Sequence, residues 1–142
     1  MKLGKLLQYR KWKEEWSKKE LATKKQLLAI EADKLRALEK RKAEGQNDFL
    51  QWQQGNISPV MLELYGNFIT GITYKCRMQG SVVEKAEAQA EERRLELLKR
   101  SQEKKIIEKL KEKQEEEARK TQDKMEQQFL DEISLQSRLL GD

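Results

Sequence analysis

The sequence predicts an all-α protein: two long helices forming an antiparallel coiled-coil hairpin, with the second helix overhanging the first. Three observations predict it. Apolar residues recur at intervals of three and four from Leu62 through Tyr65, Ile69, Ile72, Cys76, Val83, Ala86 and Ala90 to Leu97, with Gln79 and Arg93 in the same phase. A spacing near 3.5 marks the side of a helix that seeks a partner helix. The chain's one proline, Pro59, falls just before that run, in Gly55-Asn56-Ile57-Ser58-Pro59. Finally, 39% of residues are charged and 37% hydrophobic, with a mean hydropathy of -0.96, as in coiled coils and long helices. High charge with few aromatics also fits disorder, but the sustained apolar phase and the single proline argue against it.

The first helix is predicted over about residues 2–54, weakened at Gly45, the turn over 55–58 and the second helix over about 59–138, all one coiled-coil unit. In the first helix Leu7, Leu21, Leu28, Leu35 and Phe49 share a heptad phase, and Tyr9, Trp12, Trp16, Leu27, Ile30 and Leu38 widen it. Arg10, Ser17, Lys24 and Glu31 make that face too leaky for a strict zipper. At the turn, Gly55 suits the left-handed residue that ends a helix. Ser58 is a good N-cap and Pro59 a good first helical residue.

A short connection makes the helices antiparallel neighbours, pairing residues whose numbers sum to roughly 113. Phe49 is thereby expected near Leu64, Leu35 near Met78, Trp16 near Leu97 and Leu7 near Ile106. The first helix runs out near residue 112, so about thirty residues of the second lack an intramolecular partner. The apolar phase persists there through Ile107, Ala118, Met125, Leu135 and Leu139, diluted by Arg100, Lys104, Lys111 and Gln114. Exposed apolar area of this kind marks a contact surface, self-association or fraying.

Charge is uneven. The net charge is +5, but residues 1–42 hold 14 Lys/Arg against 6 Asp/Glu, a net of +8, leaving -3 for the rest. Such asymmetry draws a helix toward an acidic partner surface, nucleic acid or anionic lipid; the plainer reading is a solvated face with i,i+4 pairs. Nucleic acid is disfavoured along Arg93, Arg94, Lys99, Arg100, Lys104 and Lys105, because Glu92, Glu96, Glu103 and Glu108 interleave with them. Trp12 and Trp16 read as a partner anchor or, more plainly, as packing near Leu97 and Leu98. Phe49, Trp52, Leu64, Tyr65, Phe68 and Tyr74 crowd the turn beyond what two helices can bury, so an apolar patch is expected there.

Enzyme chemistry is not expected. With no histidine, Ser-His and Cys-His pairs and histidine metal sites are excluded, and the single Cys76 rules out thiolate zinc clusters and an internal disulfide. No glycine-rich phosphate loop occurs. Neither a membrane span nor a secretory leader is expected, and no cofactor.

The start Leu3-Gly4-Lys5-Leu6-Leu7-Gln8-Tyr9-Arg10-Lys11, the long first helix, the Gly55-Asn56-Ile57-Ser58 turn and the Tyr65, Phe68, Ile69, Ile72 spacing resemble the flagellar export protein FliJ family. Asp131-Glu132-Ile133-Ser134 near the C-terminus adds to the likeness, which spans the chain. The resemblance implies a cytoplasmic component of the flagellar type III export apparatus, peripheral to the inner membrane and similar to the stalk of rotary ATPases. It implies promotion of export-ATPase hexamer assembly, contact with the cytoplasmic part of the export gate, and escort of export chaperones. It places gate contacts at Leu64, Tyr65, Phe68 and Ile72, and ATPase contacts at Leu3, Leu6, Leu7, Met125, Phe129, Ile133 and Leu140. Where the family has a further aromatic-rich turn in the first helix, this chain has Gly45 and a short run to Gly55, which makes Phe49 and Trp52 weaker candidates. A virulence-type secretion stalk and a homodimeric coiled-coil scaffold are the alternatives.

Overall fold

The computed structural model describes residues 2–141. Helix α1 spans Lys2–Trp52 and α2 spans Pro59–Leu140, and the described residues contain no strand. The two pack against each other as an antiparallel hairpin. Helix α1 contains no proline and runs unbroken through Gly45, because packing from α2 offsets the roughly 1 kcal/mol glycine penalty.

The turn is built differently at its two sides. Ser58 caps α2 as expected: its Oγ accepts from the Met61 N–H at 3.2 Å and its carbonyl from Leu62 N–H at 3.2 Å. Helix α1 ends two residues earlier than expected, in successive tight turns, Gln54 N–H to Gln51 O at 3.3 Å and Gly55 N–H to Trp52 O at 3.1 Å. No described glycine has a positive φ, so Gly55 does not supply the expected left-handed cap. The Gln51 and Trp52 carbonyls are satisfied by i+3 bonds, which need no such residue.

The helices divide into two compact units, residues 15–98 and residues 2–14 with 99–141. Within 15–98, Leu21 and Phe49 of α1 and Ile72, Val83 and Ala90 of α2 are buried. Tyr65, Ile69, Cys76, Ala86 and Leu97 are half-buried in the same phase. Leu62, expected to begin the stripe, is exposed, in the first turn of α2 and opposite the last turn of α1. The seam instead starts where Phe49 and Tyr65 stack, centroids 3.8 Å apart and planes within 3°.

Some of the polar residues that dilute the two stripes find a partner on the facing helix. Gln79 Nε2 donates to the Glu31 carbonyl at 2.9 Å and to its carboxylate at 2.6 Å, and Arg93 pairs with Glu20 at 3.5 Å. Within 2–14 and 99–141, Leu7 and Glu14 are buried; Lys104 Nζ reaches Glu14 at 2.9 Å and Arg10 reaches Glu103 at 2.8 Å. Two of the four polar positions on the α1 face, Arg10 and Glu31, are thus matched by α2. Every residue from 112 to 141 is exposed, which is the expected overhang.

The plainer expectation for the tryptophans fails. Trp12 and Trp16 are exposed, and the Trp16 indole N–H donates to Glu20 at 3.0 Å along its own helix. Both lie off the Leu7–Leu21 heptad line, as do exposed Tyr9, Leu27 and Ile30, so they sit beside the seam rather than in it.

Candidate partner-binding site

Near the turn, side chains spaced by three or four residues on each helix enclose a cavity of about 540 Å³. From α1 come Arg41, Glu44, Gly45, Asp48 and Trp52, and from α2 Met61, Leu64, Tyr65 and Phe68. The floor depends on Gly45. A Cβ there would run into Cε1 and Cζ of Phe68, so the ring occupies the notch left by the missing side chain. Phe68 is half-buried as a result, while Leu64 at 63% and Trp52 at 52% exposure form an apolar rim. Glu44 and Asp48 edge that rim with carboxylates and Arg41 with a cation. Lys40 approaches Glu44 only to 3.9 Å, a contact of little energy at such exposure. Concave apolar surface with a few charged groups at its margin suits an inserted side chain of a partner segment.

The residues assigned to the gate surface by resemblance separate here. Leu64 is open, Tyr65 shares its ring face with Phe49, and Phe68 lies over Gly45. Ile72 is only 4% exposed and belongs to the seam. Phe49 is likewise buried, whereas Trp52 lines the cavity. Gly45, Glu44, Asp48 and Met61 were not expected at the site. Gly45 carried a readable signal: it stands at a seam position of α1, and the fold-back register sets it opposite Phe68.

In the other unit, Leu7 is buried and Leu3 and Leu6 are half-buried. Met125, Phe129, Ile133 and Leu140 are exposed on the single helical stretch, with Leu139 at 74%. Nothing within this unit buries them; all of 112–141 is open to a partner.

The model of the flagellar FliJ protein family matches residues 1–139. The chain belongs to that family. It is thus a flagellar export-related component with a helical, coiled-coil-like fold. No curated protein and no solved structure matches this FliJ-family chain. Among the described residues, no helix is long and apolar enough to cross a membrane.

Proposed function

We propose that this FliJ-family chain is a non-enzymatic stalk and coupling component of flagellar protein export, working in the cytoplasm beside the inner-membrane export apparatus. The exposed stretch from Met125 to Leu140, with Leu3 and Leu6, enters the export-ATPase ring and favours its hexamer. The Trp52–Leu64–Phe68 cavity takes a segment from the cytoplasmic part of the export gate. Chaperone escort fits the same exposed surfaces.

The family match over residues 1–139 carries the reading. The division of exposed apolar surface between two units supports a two-partner role. A homodimeric scaffold is the competing reading, because a second copy could also cover the overhang.

The test is ATP turnover by the cognate export ATPase, with and without this chain, across ATPase concentration. Stimulation that is greatest where hexamers are incompletely formed supports the stalk. Unchanged turnover with an otherwise active ATPase, together with a stable dimer in light scattering, replaces it by the scaffold.

A further inference from the structure

Residues 2–13 contain five Lys/Arg, Lys2, Lys5, Arg10, Lys11 and Lys13, and no acidic side chain. Arg10 is engaged by Glu103. At 100° per residue, Lys2, Lys5, Tyr9, Trp12 and Lys13 share one arc of roughly 100°, opposite the buried Leu7. Tyr9 is 47% and Trp12 61% exposed, their rings stacked at 6.5 Å and 20°. The Lys13 ammonium stands 4.9 Å from the Tyr9 centroid. The surrounding two-helix section, 2–14 with 99–111, holds 11 Lys/Arg against 3 Asp/Glu. The proposed function absorbs none of this.

We propose that the Lys2–Lys5–Tyr9–Trp12–Lys13 face of α1 binds the surface of an anionic lipid bilayer directly, so that the chain reaches the membrane without a protein intermediary. Tyrosine and tryptophan settle at headgroup depth because each joins an apolar ring to a polar edge. A Lys near an anionic surface adds about fivefold in affinity, and a polybasic helix with a few aromatics holds reversibly rather than inserting. A bilayer is also flat, and accepts the convex side of a helix where a protein partner would need a matching groove.

Two features favour lipid over nucleic acid. Single-stranded nucleic acid needs open ring faces to stack on, and the Tyr9 ring already has Lys13 and, at 5.9 Å, Arg10 against it. The overhang 112–140 carries 8 Asp/Glu against 5 Lys/Arg. Its net charge of -3 repels an anionic surface and leaves that stretch to its protein partner.

The full chain bearing Trp16→Phe and Trp52→Phe keeps Trp12 as the reporter. It is mixed with vesicles of phosphatidylcholine, with and without phosphatidylglycerol, and with the same lipids brominated in the acyl chains. Expected are sedimentation with the anionic vesicles only, release by added salt, and quenching of Trp12 by brominated lipid. Lys5→Glu with Lys13→Glu lowers affinity at least about tenfold at unchanged helicity. Tyr9→Ser with Trp12→Ser, in the otherwise native chain, weakens sedimentation while keeping the charge. Equal behaviour with neutral and anionic vesicles, or anionic binding without Trp12 quenching, overturns the proposal. So does salt-sensitive binding of a single-stranded oligonucleotide by a chain that ignores the vesicles. The bilayer holds the chain when Leu3 and Leu6 are outside the ATPase ring, and none of these readouts involves the ATPase or the gate, so the stalk reading stands or falls separately.

Discussion

At Gly45 the lack of a side chain admits the Phe68 ring, so one residue sets both helix packing and the floor of the cavity. Gly45→Ala gains about 1 kcal/mol of helix propensity. It evicts Phe68 and loses a comparable amount of apolar burial. The thermal midpoint is therefore expected to stay within a few degrees, while calorimetric titration shows weaker binding to the gate's cytoplasmic domain. Unaltered affinity would remove the notch from the site. Leu64→Asp is the cleaner probe of the rim, since Leu64 is open and Phe68 is not. It should abolish measurable gate binding at unchanged helicity, whereas Phe68→Asp costs stability as well, about 1–2 kcal/mol in urea unfolding.

At the scale of the helices, stability rests on a seam in which charges meet in register. Removing Glu14 leaves the half-buried Lys104 ammonium only a 3.9 Å approach to Glu108, and Glu14→Ala should cost about 1–3 kcal/mol by denaturant unfolding. Replacing both by Leu should be neutral or stabilising, yet should loosen register and promote dimers visible in sedimentation. A double variant as unstable as the single one would show that the pair itself stabilises. Glu31 adds a pH dependence: the Gln79 amide first, and Lys34 next, hold its carboxyl below the ordinary carboxylate value. A depressed folded value means the contribution is complete above the unfolded carboxylate's titration and is lost as pH falls through the folded one. Glu31→Gln should therefore flatten the melting temperature on the acid side, and an unchanged acid slope would contradict this.

For the molecule as a whole, the two units carry different surfaces. The 15–98 unit holds the cavity and most of the apolar seam, and the other pairs a short basic section with a bare helix. Ending the chain before Met125 removes, among the described residues, only exposed ones, so the melting transition should be unaltered while ATPase stimulation falls to the basal rate. Retained stimulation would assign the ATPase contact to Leu3 and Leu6 and their neighbourhood instead.

The hairpin, the capped start of α2 and the overhang were legible in the sequence, whereas the way α1 ends, without a left-handed Gly55, was not. Periodicity near 3.5, one Ser-Pro start and unequal helix lengths depend only on local propensity and the pitch of a helix. The cavity was legible in part: the crowding of aromatics near the turn announced a patch, but not which rings it would consume. Periodicity alone does not say that Phe49 and Tyr65 spend their faces on each other, that Ile72 is sealed, or that Trp52 is left out. Nor does it say that Arg10, Glu14, Glu31, Gln79, Arg93 and Lys104 complement one another across the seam, or that Trp12 and Trp16 stay in solvent. Those outcomes belong to the tertiary structure, because a polar residue on a helix stripe is a defect or a contact depending solely on what the facing helix places opposite it.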